Sequence, residues 1–406
     1  MAKPEIRLRG FDGEWDRKYL ADEVSFFSGL TYTPSNIKLT GTLVLRSSNV
    51  QEGEISLLDN VYVDPAIVYS PFVKKNDIIV VVRNGSRSLI GKHAQIKNEL
   101  PNTVIGAFMT GIRSSHPEFM NALLSSRSFD KEVEKNLGAT INQITNASFR
   151  SMCFCFPHVK EQDEIGYYFK SLDSMIQGVT KKIASLKQMK QACLVSMFPQ
   201  EGETTPRVRF KGFKGEWEIV KLSSIATRVT RKNSHLESTL PLTISAAEGL
   251  IEQTAFFNNV VASSNVSGYY LVKRGEFAYN KSYSNGYPFG AVKRLDKYDM
   301  GVLSTLYIVF SVDKAVCSDY IVHFFDTSLW HQEVAKRAAE GARNHGLLNI
   351  GAEDFLDIDI VVPKSKDEQQ KVASFFRSLD SQISMQEQRW EKLKQIKSAC
   401  LDKMFV

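Results

Sequence analysis

No apolar run in this chain approaches the roughly 20 residues needed to cross a bilayer. The longest stretches, such as Ile78-Ile79-Val80-Val81-Val82, are strand-sized. A helical membrane protein is excluded, and no membrane partner is expected. Cysteine is scarce, five in 406 residues, and the five are scattered. No disulfide framework is expected, and a reducing cytoplasm is the default compartment. The first residues are charged and hold no apolar signal core.

Catalytic signatures are missing as well. Gly85 to His93 resembles a phosphate-binding loop at first glance. It has five residues between its glycines where that loop has four, and His93 stands where Ser or Thr should hold Mg²⁺. A glycine-containing turn is the better reading. No G-x-G-x-x-G follows a strand, and H-E-x-x-H and G-x-S-x-G are absent, which removes dinucleotide binding and two hydrolase classes. Cys153, Cys155 and His158 lack a second ligand pair at zinc-finger spacing, so no metal site is expected and the cysteines read as apolar core. No catalytic residue can be nominated.

What the chain does have is a duplication. Arg7-Leu8-Arg9-Gly10-Phe11-Asp12-Gly13-Glu14-Trp15 returns as Arg209-Phe210-Lys211-Gly212-Phe213-Lys214-Gly215-Glu216-Trp217. Ser171-Leu172-Asp173-Ser174 returns as Ser378-Leu379-Asp380-Ser381, and Lys187–Leu194 returns as Lys394–Leu401. Both copies close on Met-Phe, at Met197-Phe198 and Met404-Phe405. The borders repeat well and the middles hardly at all. That pattern describes one scaffold presenting two different reading heads. Between the copies, Pro199 to Pro206 carries two prolines and a glycine and reads as a linker.

Each copy ends in a long helical pattern. Leu172, Ile176, Val179, Ile183 and Leu186 step alternately by four and three, as do Leu379, Ile383, Gln386, Trp390 and Leu393. That period is the coiled-coil seam. Acidic residues open both helices and lysines crowd their last turns, as the helix dipole favours. About 36 residues per helix would span roughly 50 Å. Two packings fit the seam: each helix on its own globule, or the helices on each other. The better repetition of the helices favours the second, with the pair antiparallel if a two-fold axis relates the copies. Lys190 and Lys397 hold equivalent polar positions along it. The rest of each copy mixes strands (Ile78–Val82, Met152–Phe156, Leu303–Val312, Ile358–Val362) with helices (Glu118–Ser125, Ser318–Ala339), an α+β plan.

The polar clusters suit binding. Arg46, Ser47 and Asn49 form one set. Arg83, Asn84, Ser86, Arg87 and the later Lys92 follow an apolar strand. The second copy offers Lys281, Tyr283, Asn285 and Tyr287, and a further basic loop with Arg343 and His345. Arg, Asn and Ser read base edges and phosphates, and a glycine lets backbone approach a ligand closely. The net charge of +6 fits a nucleic-acid partner but decides little alone. Solvated loops with ordinary turn chemistry are the plain alternative.

These features, in this order and twice over, resemble the DNA-specificity subunit of type I restriction–modification enzymes. The carriers are the Gly-Phe-x-Gly-Glu-Trp openings, the loops after strands at Asn84–Gly91 and Tyr279–Gly286, and the strand-to-helix joints. Those joints run from Pro157 to Glu161-Gln162 and from Pro363 to Glu368-Gln369, ahead of the helices with Ser-Leu-Asp starts. The resemblance implies two pseudo-two-fold-related α/β target-recognition domains, separated by two long antiparallel coiled-coil helices. The expected borders are 1–157, 158–198 (helical), 199–206 (linker), 207–363 and 364–406 (helical). It implies a bipartite, asymmetric target in double-stranded DNA, and docking of two methyltransferase subunits and the restriction/translocase subunits. S-adenosylmethionine, ATP and Mg²⁺ would belong to those partners, and this chain would be non-catalytic. A tandem-repeat coiled-coil scaffold that binds proteins is the alternative.

Overall fold

The computed structural model describes residues 3–137, 142–245, 248–257, 265–282, 286–338 and 348–406. Two helices dominate the chain order, Val159–Met197 and Lys366–Met404, each of 39 residues. At 1.5 Å per residue each is about 58 Å long. Phe198-Pro199 ends the first, because proline cannot continue the hydrogen-bond ladder. The chain divides into two compact units, Met1–Lys181 with Glu387–Val406, and Lys182–Gln386. Each long helix therefore gives its first half to one unit and its second half to the other.

The first unit opens with the strand Asp16–Tyr19, paired antiparallel with Cys153–Phe156. Its central sheet orders four antiparallel strands: Val24–Ser28, Met109–Ser114, Ile78–Val81 and His93–Gln95. The strand Ile78–Val81 is apolar without alternation because it is buried on both faces. A second sheet joins Thr103–Ile105, parallel, to Thr42–Leu45, then Val61–Val63 and Ile37–Lys38. Helices Pro117–Leu124 and Arg127–Asn136 cover the core.

The second unit repeats this frame. Glu218–Lys221 pairs with Asp359–Val362. The central sheet again runs in the same order: Ala226–Arg228, Ile308–Val312, Phe277–Asn280, Ala291–Arg294. The difference lies in the outer strands, which here form two separate pairs, Leu242–Ser245 with Gly249–Glu252 and Tyr270–Lys273 with Met300–Leu303. Two stretches that read as continuous in the sequence are broken. Leu303–Val312 holds the turn Ser304–Tyr307 between two strands, and Ser318–Ala339 holds two helices, Ser318–Phe324 and Leu329–Arg337. The helix break is capped by Thr327, whose hydroxyl donates to the Phe324 carbonyl at 2.6 Å.

The repeated motifs account for themselves as fasteners. Arg7 donates two hydrogen bonds to the buried Glu161 (2.8 and 2.7 Å) and two more to the Gly13 and Asp12 carbonyls. Arg209 does the same with Glu368, Gly215 and Lys214. Gly13 and Gly215 sit at φ +82° and +80°, where a side chain is strained, so glycine lets the carbonyl turn to the arginine without that cost. Gln162 and Gln369 donate to the Pro157 and Pro363 carbonyls at the strand-to-helix joints.

The helix halves within each unit are antiparallel. In the first, Lys397 binds Asp173 at 2.5 Å and the Tyr168 hydroxyl lies 3.3 Å from Cys400 Sγ, so one number falls as the other rises. In the second, Lys190 binds Asp380 at 2.7 Å and Phe198 packs on Phe376. Each Ser-Leu-Asp aspartate thus pairs with the seam lysine of the other copy. The closing phenylalanines cross over likewise: Phe405 packs against Trp15, Phe119 and Phe169, and Phe198 against Trp217 and Tyr320. Along the seam Leu172, Val179, Leu186, Leu379 and Ile383 are buried; Ile176, Ile183, Trp390 and Leu393 are half-buried.

His93 gives the first unit a pH dependence. Its Nε2 lies 3.0 Å from Ser125 Oγ and its Nδ1 3.2 Å from the Gly91 carbonyl. Burial pushes its pKa down to about 4. The unfolded chain, titrating near 6.5, binds the proton first. Stability from this group is complete above about pH 6.5 and is lost as pH falls toward 4. Thermal unfolding between pH 7 and 5 should show this fall, and His93→Gln should flatten it; an unchanged slope in the variant would remove His93 as the cause.

Candidate nucleic-acid interface

In the first unit the buried strand Ile78–Val81 delivers the chain to an exposed loop. The Val82 and Arg83 amides both donate to the Phe108 carbonyl (3.0 and 3.2 Å), and Asn142 donates to the Gly85 carbonyl at 2.9 Å. Asn84 caps its own turn by accepting from the Ser86 amide at 3.0 Å, and its Nδ2 donates to Ser47 Oγ at 3.0 Å. That bond brings together two clusters 37 residues apart. Arg83 and Arg87 are exposed, with the Arg83 guanidinium 4.9 Å above the Phe108 ring. Ser86 is exposed and faces Ser88 at 3.0 Å, and Lys92 is exposed beyond the turn.

Asn49 has a different task. It is fully buried and spends its amide on the Arg46 N–H and on the Ser56 and Asp59 carbonyls, so it shapes the loop that presents Arg46 and Ser47. The Arg46 guanidinium is held by Asp59 at 2.7 Å.

The second unit places a related turn at the end of the equivalent strand. Asn280 Oδ1 accepts from the Ser282 amide at 3.0 Å, as Asn84 does from Ser86. Lys281 is half-buried, its ammonium 3.2 Å from the Ile350 carbonyl. Tyr287 is exposed. Beneath, Tyr279 donates to the Phe289 carbonyl and stacks on Phe355 at 4.2 Å; burial raises its phenol well above the usual range. Tyr283, Asn285, Arg343 and His345 lie outside the described residues.

The second unit also holds a charged cluster that the sequence reading missed. Asp326 receives Lys190 at 2.8 Å and Lys293 at 3.2 Å, with His323 at 3.6 Å. Burial alone would raise the Asp326 carboxyl; its contact with His323 and the two lysine charges outweigh that and hold it well below the carboxylate range. His323, Asp326 and Asp380 are spaced as metal donors could be, but the Lys190 ammonium already lies against both carboxylates. The advance signals were the polar Lys190 in an apolar seam and Asp380 in the repeated Ser-Leu-Asp.

No protein-family model matches the chain. Among curated proteins, it is 29% identical over 154 residues to the StySPI type I restriction enzyme specificity subunit of Salmonella potsdam and, over the same length, to the EcoKI specificity subunit of Escherichia coli K12. The chain is similar to type I restriction–modification specificity subunits. The aligned stretch covers 36% of this chain and about a third (32%) of each of those relatives. Over its full length the fold is that of the type I restriction–modification S subunit from M. genitalium: TM-score 0.63 at 14% identity, covering 100% of this chain and 99% of that one. A second chain, from a structure concerned with complex assembly and conformational transition of the type I R-M system, aligns at TM-score 0.50 and 13% identity, covering 97% and 98%. The fold class is therefore the mixed α and β architecture of these two-domain S subunits, with the long internal and C-terminal helices. No helix among the described residues is long and apolar enough to cross a membrane.

Proposed function

We propose that this chain is the DNA-reading subunit of a type I restriction–modification complex. It recognises a bipartite, asymmetric target, one half per unit, and docks the methyltransferase and restriction subunits that carry the chemistry. The observation that supports this most is the repeated frame with unrepeated loops. Both units have the same Arg–Glu fastener, the same central sheet order and an Asn-capped turn at the same strand end, yet different side chains on the turn. Two identical readers on such a frame would specify a symmetric site.

In this reading exposed Lys and Arg supply salt-dependent phosphate affinity. Arg83 and Arg87 supply discrimination, at about 1–3 kcal/mol per good bidentate base contact. With the methyltransferase partner present, duplex binding should weaken steeply as salt rises. Arg83→Ala and Arg87→Ala should each relax base preference in one half-site about 5- to 150-fold and leave the other half-site unchanged. Salt-insensitive capture of proteins with no duplex binding would instead favour a protein scaffold.

A further inference from the structure

Two exposed apolar side chains stand at matching places beside the proposed reading loops. Phe108 is 52% exposed and Leu306 60% exposed. Each is the third residue of a four-residue turn, closed by the Met109 amide on the Gly106 carbonyl (2.9 Å) and by the Tyr307 amide on the Ser304 carbonyl (3.2 Å). Each turn joins an outer strand (Thr103–Ile105, Met300–Leu303) to the strand at the same position of the central sheet (Met109–Ser114, Ile308–Val312). The two sequences, Gly106-Ala107-Phe108-Met109 and Ser304-Thr305-Leu306-Tyr307, share nothing that betrays the match.

Both turns are tied by hydrogen bonds. Gly106 donates to the Leu45 carbonyl and Ala107 to the Leu30 carbonyl, each at 2.9 Å. The backbone of Gly29 is so close that a Cβ there would meet the Gly106 oxygen at 2.0 Å. In the second unit the Leu306 amide lies 3.4 Å from Ser304 Oγ, and the Tyr307 hydroxyl 3.2 Å from Thr243 Oγ1. The first turn touches its reading loop, and the second lies at the matching strand end. The Phe108 carbonyl accepts from Val82 and Arg83, and the register Ile308↔Tyr279 sets Leu306 at the strand end that leads to Lys281.

A large apolar side chain held in water on a hydrogen-bonded turn forgoes burial. Where such a turn adjoins cationic and amide groups, the apolar partner that fits is a base step, since stacked bases offer an apolar interior behind a charged backbone. We propose that Phe108 and Leu306 are wedges, one for each half-site, that insert between base pairs and kink the bound duplex, as Phe and Leu do in DNA-bending proteins. This rests on the DNA-reading function proposed above. Arg83, with its guanidinium over one face of the Phe108 ring, would then meet the phosphate or base edge flanking the opened step.

The test uses the full-length chain assembled with its methyltransferase partner, on duplexes carrying the methylated motif. 2-Aminopurine is placed in turn at every position except the methylated base, and its fluorescence reports unstacking. Wild type should show one enhanced position in each half-site. Phe108→Ala should abolish the enhancement in the first unit's half-site alone, Leu306→Ala in the other alone, each with roughly tenfold weaker binding. Phe108→Leu, which keeps an apolar wedge, should retain the signal. Tight binding with no enhanced position, or enhancement untouched by both alanine variants, would overturn the wedge and leave the DNA-reading function standing. Loss of methyltransferase assembly in the alanine variants, with unstacking intact, would overturn it in favour of a protein contact. Failure of the wild-type complex to bind any duplex would overturn the DNA-reading function itself, and the wedge with it.

Discussion

Replacing Glu368 by alanine is expected to destabilise the second unit by roughly 2–3 kcal/mol, the cost of removing a buried acceptor from a charged donor and an indole N–H. Glu368 is buried and satisfies three donors: Arg209 Nε and Nη2, and the Trp217 indole at 3.2 Å. Alanine would take the acceptor from the indole N–H and remove the carboxylate from Arg209, which would keep only the Gly215 and Lys214 carbonyls. Glu161→Ala should cost the first unit less, because the Trp15 indole has no hydrogen-bond partner to lose. Urea unfolding of the intact chain, followed by tryptophan fluorescence, measures both. Exchanging Arg209 and Glu368 together for methionines should cost less than Glu368→Ala alone, since no charge is left buried. A change below about 1 kcal/mol in Glu368→Ala would mean that the repeated opening motif is not a fastener.

The second large effect concerns the long helices. Each passes from one unit to the other, at Lys181/Lys182 and at Gln386/Glu387. If they set the distance between half-sites, seven residues must be removed from both, because the halves pair antiparallel within each unit. A heptad removes about 10 Å of helix and turns its faces by only about 20°, so the seam should re-form. At 3.4 Å per base pair the spacer should shorten by about three base pairs. Methylation at the original motif should disappear, and a motif with the same half-sites and a shorter gap should replace it. Altered half-sites, or an unchanged gap, would contradict a helical ruler.

Much of this frame was legible in the sequence because it rests on local rules. The seam period shows in Leu172, Val179 and Leu186, and Phe198-Pro199 is an unambiguous stop. The repeated glycines of the opening motif mark backbone that only glycine adopts easily. What could not be read was tertiary. Lys397 and Asp173 are 224 residues apart, and nothing local says that each aspartate takes the other copy's lysine. Leu303–Val312 looks like one strand because Ser304 and Thr305 are compatible with strand structure; the turn there forms by pairing each side with a different sheet. Asn49 reads as a base-contacting amide by type, yet it is consumed by its own loop. Phe108 and Leu306 are apolar by type, and only the fold places them in water.

The most direct test is methylome sequencing of a host with and without this chain, expressed together with the methyltransferase and translocase genes expected beside its own. A DNA-reading subunit predicts that one bipartite, asymmetric methylated motif vanishes when the chain is absent and returns with it. A methylome identical in the two strains would contradict the function proposed for it.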